Sequence, residues 1–150
     1  MNAEFRIRQL GLNDLIPFKK LIQLFHEVFG TENFAVAEDS RLVNLLEKPE
    51  FIVLAVLHDN EVVGGLTAYE LPMYTSGHSE AYIYDIAIQP HFQRKGLGKE
   101  LLSAFNNYCK QNGIREFFVE AHESDHHAVG FYRSAGGKPE LVVHFNFPAE

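Results

Sequence analysis

The sequence is short of cysteine and of basic residues, and each shortage excludes a class of protein. Its 150 residues include one cysteine, Cys109, so no disulfide can form within the chain, and a reduced, cytoplasmic setting is expected. The 13 Lys and Arg are outnumbered by 20 Asp and Glu, which gives a formal net charge of −7. Because nucleic acids and anionic membranes attract basic surfaces, this balance argues against both as partners. It favours a cationic partner only weakly.

Long hydrophobic runs, repeats and linkers are also missing. No apolar run approaches the roughly 18 residues that span a bilayer. The first residues lack the basic and then apolar pattern of a signal peptide, which again leads us to expect a cytoplasmic protein. Hydrophobic residues make up 46% of the chain and charged residues 22%, as in ordinary globular proteins. We therefore expect a single domain over residues 1–150 with a core of its own.

Hydrophobic periodicity predicts an alternation of strands and helices. A helix is expected from the capping residues Asn13 or Asp14 to Gly30, because apolar residues recur there with a period of 3.6. Pro, Gly and Asn residues bound most of the other segments. The expected strands are 5–8, 51–57, 62–69, 81–88, 117–121 and 141–147, and the further helices are 38–47, 97–112 and 125–135. This order predicts a mixed sheet flanked by helices.

A glycine-bearing stretch follows the predicted strand 81–88 and opens the next helix. It reads Gln93-Arg94-Lys95-Gly96-Leu97-Gly98-Lys99, and no acidic residue lies between His91 and Lys99. Glycines let a ligand approach the backbone, and a helix N-terminus offers unpaired N–H groups with a partial positive charge. The pattern suits a diphosphate, although a helix start with solvated basic residues would look the same. It matches neither a Walker loop nor the dinucleotide fingerprint.

Two motifs in order resemble those of the GCN5-related N-acetyltransferase (GNAT) superfamily. Gln-x-x-Gly-x-Gly after a strand that ends Asp-Ile-Ala-Ile-x-Pro resembles motif A of the family. The second motif, a strand and then a helix with Ala-x-x-Phe-Tyr, is matched by 117–121 and by Ala128 to Tyr132. The resemblance implies an α+β fold with a central mixed, mostly antiparallel sheet flanked by helices. It also implies acetyl-CoA as co-substrate and no metal.

The same resemblance implies which residues hold coenzyme A. In the family the glycine loop binds the pyrophosphate, and the end of the preceding strand pairs its backbone with the pantetheine arm. Asp125 stands where the family frequently has Asn. The residues carried over are Ile86, Ala87, Ile88, Gln93, Arg94, Lys95, Gly96, Leu97, Gly98, Lys99, Asp125, Ala128 and Tyr132.

Within the superfamily, the run Tyr82-Ile83-Tyr84-Asp85 is most similar to the aminoglycoside 3-N-acetyltransferases. The similarity implies direct transfer of acetyl, in a ternary complex, to the 3-amino group of an aminoglycoside, a resistance-type activity. The alternatives are another cationic small amine such as a polyamine, a peptide amine, or a non-catalytic acyl-CoA-binding module. Members of the family often dimerise, so a homodimer is expected.

Acetyl transfer needs a neutral amine nucleophile and benefits from an acid at the leaving thiolate. Tyr132 occupies the position of the family's motif-B tyrosine and is the candidate acid. Asp85 lies in an otherwise apolar and aromatic strand, where a lone carboxylate must face a pocket or find partners because its burial is costly. It is the candidate contact to substrate ammonium groups and a candidate base. A structural, hydrogen-bonded aspartate is the alternative.

Other side chains are candidate contacts to the acceptor. Tyr84 adjoins Asp85, and Glu80 and Glu123 are the preferred acidic contacts. Glu123 belongs to an acidic set with Glu120 and Asp125 at the end of the predicted strand 117–121. His122 competes as a base because the ordinary pKa of histidine lies near the working pH. The base is left open among Asp85, His122, Glu123 and water.

One further motif points elsewhere. His122-Glu123-Ser124-Asp125-His126 matches H-E-x-x-H, the signature of zinc proteases. That motif binds zinc when both histidines share one face of a helix. Here it begins where a strand is predicted to end, and Ser124 and Asp125 are typical helix caps. A metal site is therefore not expected, and Cys109 is expected to be a small packing residue.

Overall fold

The computed structural model describes residues 4–149, which form five strands and four α-helices. The elements in chain order are β1 Phe5–Gln9, α1 Leu15–Phe29, α2 Asp39–Glu47, β2 Phe51–His58, β3 Glu61–Pro72, β4 Ser79–Ile88, a 3-10 turn Pro90–Phe92, α3 Leu97–Gln111, β5 Ile114–Val119 and α4 His126–Ser134. Most bounds lie within three residues of those predicted from periodicity. β5 is shifted, since it begins at Ile114 and ends at Val119.

The five strands form one sheet in the order β1-β2-β3-β4-β5. The first three pairings are antiparallel, whereas β4 and β5 are parallel. The parallel pair requires a crossover, and α3 provides it. The predicted α+β class with a mixed, mostly antiparallel sheet is confirmed.

Helices cover both faces of the sheet. Leu21 and Phe25 of α1 and Leu42 of α2 pack with residues of one face of β2. Leu101 and Phe105 of α3 pack on the opposite face. Because both faces are covered, all of Phe51 to Leu57 is buried, which explains the continuous apolar run of β2.

Glycines appear where the backbone must come close or turn. Gly65 of β3 lies under α1, and a Cβ built there would come within 2.8 Å of Leu21. Gly30 ends α1 in the left-handed conformation with φ 62° and donates its N–H to the carbonyl of His26. The helix end predicted at this residue is confirmed.

The strand predicted over 141–147 is wrong for the single chain. Residues 138–149 have no regular secondary structure, and no described strand pairs with them. A strand exists only when its backbone forms hydrogen bonds with a neighbouring strand. A suitable apolar pattern in the sequence does not show that such a neighbour is present.

The chain divides into two compact units, Met1–Glu120 and Ala121–Glu150. The first contains the whole sheet with α1, α2 and α3, and the second contains α4 and the residues that follow it. That they form one domain stays a prediction. Among the described residues, no helix is both long and apolar enough to cross a membrane.

Candidate active site

Strand β4 carries a bulge at Tyr84. Thr67 of β3 lies opposite Asp85, and the next residue, Ala68, lies opposite Ile83, so Tyr84 is an extra residue in β4. A bulge of this kind bends its strand and changes the direction of the neighbouring side chains. Tyr84 is 62% exposed, whereas Asp85 is half-buried.

Beyond the bulge, β4 loses its second neighbour. The parallel ladder with β5 ends at Ile83 and Val119, and residues 84–88 pair only with β3 among the described strands. The side chains of Ala87 and Ile88 are buried. One backbone edge of this segment is therefore left for an extended ligand that can form strand-like hydrogen bonds. Such an edge fits the pantetheine arm that Ile86, Ala87 and Ile88 are predicted to hold.

The glycine loop is attached to the end of the same strand. The Gln93 side-chain amide donates a hydrogen bond of 2.8 Å to the carbonyl oxygen of Ile88. Gln93 therefore holds the loop against β4. Leu97, the first residue of α3, is 3% exposed and anchors the helix in the core. Any contact of Leu97 with a cofactor would come from its backbone.

The loop presents backbone and positive charge to solvent. Gly96 caps α3 with φ 83°, and a Cβ built on it would meet no atom within 4 Å. Arg94 also has a positive φ of 63°, and the side chains of Arg94, Lys95 and Lys99 are exposed. Open space over a helix N-terminus flanked by basic side chains fits a diphosphate. The predicted cofactor residues of the first unit thus lie along one continuous path from β4 to α3.

Asp85 follows Tyr84 in β4, and its charge contributes to the raised pKa values of Tyr69 and Tyr82. Its carboxylate makes no hydrogen bond or ion pair with the residues that the structure describes, and its burial raises the pKa of the carboxyl. The ring of Tyr69 is 6.0 Å from that of Tyr84, in an edge-to-face contact. Burial raises the pKa of Tyr69, with smaller contributions from Tyr84 and Asp85. An unpaired, partly desolvated carboxylate beside aromatic rings is suited to receive a cationic group.

A second set of contacts connects β4 to β5. The hydroxyl of Tyr82 donates a hydrogen bond of 2.5 Å to Oε1 of Glu120, and the Tyr82 ring stacks on Phe118 at 4.8 Å. The hydrogen bond to Glu120 is the main cause that raises the pKa of Tyr82 to about 12. Tyr82 and Tyr84 are also in edge-to-face contact at 5.9 Å. Glu120 thus stands at the end of β5 in a fixed position.

Sequence reasoning did not assign Tyr69, Tyr82 or Phe118 to the site. Tyr82 is two residues from Tyr84, and a period of two would have placed both on the same face of the sheet. Tyr69 and Phe118 lie on other strands, and only the register brings them to Tyr84 and Tyr82. No local signal identifies those two residues.

Glu80 lies away from this group. It pairs with Leu71 of β3 near the start of β4. Five residues of strand separate it from Asp85, a distance of about 16 Å at the usual rise per residue. The structure does not bring the two carboxylates together, and contact of Glu80 with an acceptor stays a prediction.

The second unit contains the remaining candidates. Asp125 caps α4, because its carboxylate accepts a hydrogen bond of 3.0 Å from the N–H of Ala128. These two predicted cofactor residues therefore bind each other. Tyr132 lies in the second turn of α4, and its carbonyl oxygen accepts a hydrogen bond of 2.9 Å from the N–H of Gly137. Their roles at a cofactor stay predictions, as does that of Glu123.

The H-E-x-x-H sequence does not form the helical pair that zinc proteases need. His126 is the first residue of α4, whereas His122 precedes the helix, and its carbonyl oxygen accepts a hydrogen bond from the N–H of Asp125. The i and i+4 positions therefore do not share a helical face. His122 as a base stays a prediction.

A comparison with protein families identifies the fold. The model of the acetyltransferase (GNAT) family matches residues 18–136, which include β4, the glycine loop and α4. The chain belongs to the GNAT acetyltransferase family. It is therefore an acetyltransferase of the GNAT type, a family whose members use acetyl-CoA.

Individual relatives support this membership. Two crystal structures of the aminoglycoside acetyltransferase meta-AAC0020, from an uncultured soil metagenomic sample, superpose on this GNAT chain with a TM-score of 0.96. They cover 99% of both chains at 40% and 39% identity, and one holds trehalose and the other sisomicin. The uncharacterized N-acetyltransferase YhfO of Bacillus subtilis is 27% identical over 96% of this chain and 99% of its own length. An aminoglycoside N(6')-acetyltransferase type 1 of Stenotrophomonas maltophilia is 28% identical over 66% of this chain and 67% of its own length.

Proposed function

We propose that this GNAT enzyme acetylates an aminoglycoside, and that the amino group at position 3 is the acceptor. The observation that carries the proposal is the unpaired carboxylate of Asp85 next to the free edge of β4 and beside an aromatic wall, the connected rings of Tyr69, Tyr84, Tyr82 and Phe118. Aminoglycosides combine several ammonium groups with sugar rings, so a carboxylate and tyrosine rings are complementary to them. The complex of meta-AAC0020 with sisomicin, at 39% identity over 99% of both chains, supports the same acceptor class.

In this proposal the first unit binds acetyl-CoA along β4 and the glycine loop. The backbone edge of Ile86 to Ile88 holds the pantetheine arm, and the N–H groups around Gly96 hold the pyrophosphate. Arg94, Lys95 and Lys99 balance its charge. Acetyl-CoA supplies the activated acetyl group as a thioester, so the enzyme needs no covalent intermediate of its own.

Asp85 prepares the acceptor. It binds an ammonium group of the aminoglycoside and accepts a proton from the attacking nitrogen. A carboxyl whose pKa burial has raised is a stronger base than an ordinary aspartate, which favours that transfer. Tyr84 and Tyr69 contact the sugar rings, and Tyr82 holds Glu120 at the end of β5 as a second anionic contact. Tyr132 donates the proton that the leaving sulfur needs. Because no acetyl-enzyme forms, the acetyl group passes directly from donor to acceptor while both are bound in a ternary complex.

The position of the new amide tests the regiochemistry. The enzyme is incubated with acetyl-CoA and sisomicin, and the product is isolated and assigned by two-dimensional NMR. We expect a single acetyl group on the 3-amino nitrogen. Acetylation at position 6' would retain the acceptor class and reject the position. Turnover of spermidine or of a lysine peptide, with no turnover of sisomicin or gentamicin, would reject the acceptor class itself.

A further inference from the structure

Among the described residues, Thr67 of β3 is the only polar one that is buried. It is 7% exposed, and its hydroxyl makes no hydrogen bond with another residue of the described chain. A buried hydroxyl without a partner costs free energy. Valine has nearly the same shape, is equally common in strands and lacks that cost. Packing and strand formation therefore do not explain a threonine at this position.

The strand register places Thr67 opposite the bulge in β4. Thr67 pairs directly with Asp85, and Tyr84 is the extra residue beside that pair. Residues that lie opposite each other in antiparallel strands share one face of the sheet, with their Cβ atoms about 4.5 to 5.5 Å apart. The hydroxyl of Thr67 and the carboxylate of Asp85 are therefore neighbours.

This pair lies at the border of the surface that α1 covers. Val53 of β2, which pairs with Thr67 on its other side, belongs to the core formed with α1. Residues two apart in a strand share a face. Two positions before Thr67, Gly65 lies under Leu21 of α1, whereas two positions after it Tyr69 is 38% exposed. Thr67 is thus the last buried position of β3 on this face before the aromatic wall begins.

Two polar groups without partners, side by side, indicate a ligand that both contact. The Asp85 carboxylate also makes no hydrogen bond or ion pair with the residues that the structure describes. A hydroxyl with a purely structural role would be expected to donate to the carboxylate beside it, and no such bond is formed. The pair offers one charged and one neutral acceptor, which suits a group with several N–H donors.

We infer, on the basis of the proposed role of Asp85 as proton acceptor, that the Thr67 hydroxyl and the Asp85 carboxylate together hold the amino group that attacks acetyl-CoA. One N–H donates to Oγ1 of Thr67, and a second passes its proton to Asp85. With these two directions fixed, the nitrogen lone pair is oriented for attack on the thioester carbon. The nitrogen–carbon bond forms, the carbon–sulfur bond breaks with its electron pair on sulfur, and Thr67 keeps its own proton.

Removal of the hydroxyl alone tests this contact. Thr67→Val should lower kcat about tenfold, the equivalent of one neutral hydrogen bond in the transition state, with the KM for acetyl-CoA unchanged. Thr67→Ser keeps the hydroxyl and should restore most of kcat. Thr31→Val is the matched control, because Thr31 is exposed. An unchanged kcat for Thr67→Val, or a Thr67→Ser variant that is equally slow, would overturn the inference.

A double variant tests whether both groups act on the same nitrogen. If they do, their effects are not additive, so Thr67→Val should lower kcat less than threefold in an Asp85→Asn background. A full tenfold loss in that background would show that Thr67 acts independently of Asp85, and would contradict the shared contact.

These rates are measured with whichever of sisomicin, gentamicin, spermidine and the lysine peptide the parent enzyme acetylates best. Turnover of spermidine or of the peptide alone would reject the proposed acceptor class, while the comparison of the variants still decides the role of Thr67. Failure of the inference and failure of the proposed function are therefore distinguishable.

Thermal unfolding provides a test that needs no substrate. Because the Thr67 hydroxyl is buried without a partner in the free enzyme, Thr67→Val should raise the Tm at pH 7 by about 2 to 4 °C. Thr31→Val should leave the Tm unchanged. A Tm that is lower for Thr67→Val than for the parent protein would show that the hydroxyl has a structural partner, and the inference would be wrong.

Discussion

At the scale of single residues, we expect the Asp85 carboxylate to have opposite effects on acceptor binding and on the stability of the fold. The residue is half-buried and makes no hydrogen bond or ion pair among the described residues, so its charged form is poorly solvated in the free enzyme. The same environment gives it a strong attraction for an ammonium group. A group of this kind is expected where function, rather than stability, has selected the residue.

Asp85→Asn should therefore lower activity and raise stability. We expect kcat/KM for sisomicin to fall by about 100-fold or more, because the variant loses a proton acceptor and a charge. At pH 7 the variant no longer buries a charge, so its free energy of unfolding should increase. Its Tm should rise by about 2 to 4 °C for each kcal/mol of that increase. Steady-state kinetics and thermal unfolding measure the two effects. Asp59→Asn is the matched control, since Asp59 is exposed and its positive φ of 49° suits asparagine.

The stability effect should depend on pH in a defined direction. The folded-state pKa of Asp85 is raised above the ordinary 3.8, so the folded protein binds this proton more tightly than the unfolded chain does. The parent protein is then most stable, relative to Asp85→Asn, below pH 3.8, and it loses that stability as the pH rises through the raised pKa. The Tm advantage of Asp85→Asn over the parent protein should therefore shrink as the pH falls. An advantage that grows as the pH falls would show instead that a charged partner stabilises the carboxylate.

Tyr132 is tested by removal of one oxygen atom. If it protonates the leaving sulfur, Tyr132→Phe should lower kcat by about 100-fold while the KM for acetyl-CoA changes far less. Tyr74→Phe is the control, because Tyr74 is 99% exposed. An unchanged kcat for Tyr132→Phe would remove this residue from the chemistry.

At the scale of elements, the loop between β4 and α3 combines a fixed anchor with an open surface. Gln93 attaches it to β4, Leu97 attaches it to the core, and Gly96 between them has no neighbour within 4 Å of its would-be Cβ. The loop is therefore held in place while its backbone stays accessible. This combination is what a binding site for a diphosphate requires.

Two distant glycines with positive φ, Gly96 and Gly30, allow the effect of backbone strain to be separated from an effect on cofactor binding. Gly96→Ala places a side chain at φ 83°, which should cost about 1 to 2 kcal/mol, and it also puts a methyl group where the pyrophosphate is proposed to lie. Gly30→Ala has the same open surroundings at φ 62° but lies at the end of α1. Both variants should lose a few degrees of Tm. Only Gly96→Ala should raise the KM for acetyl-CoA, by about tenfold, the equivalent of one charge-assisted hydrogen bond. Equal KM values for the two variants would argue against binding at Gly96.

The same elements show what a sequence can and cannot predict here. The buried run of β2, the end of α1 at Gly30 and the glycine loop follow from local patterns, and the structure confirms all three elements. The aromatic wall does not, because the contact of Tyr69 with Tyr84 depends on the register of β3 and on a bulge. A bulge shifts side chains by one residue, and no periodicity in Tyr82 to Asp85 indicates it.

At the scale of the whole molecule, the net charge of −7 conceals an uneven distribution. The loop from His91 to Lys99 contains three basic residues and no acidic ones. Asp85 and Glu120 lie on β4 and at the end of β5, in the same unit as that loop. In the proposed function the anionic donor and the cationic acceptor would each meet a surface of opposite charge, which would favour binding of both in one complex.

The rate of coenzyme A release with different amines tests the proposed acceptor class most directly. Purified enzyme is mixed with acetyl-CoA and with sisomicin, gentamicin, spermidine or a lysine peptide, and free thiol is measured over time. We predict that kcat/KM for the aminoglycosides exceeds that for spermidine and for the peptide by about 100-fold, since an acceptor with several correctly placed charges gains about 3 kcal/mol in the transition state. Equal rates for all amines, or turnover of the peptide or spermidine alone, would contradict the proposed function.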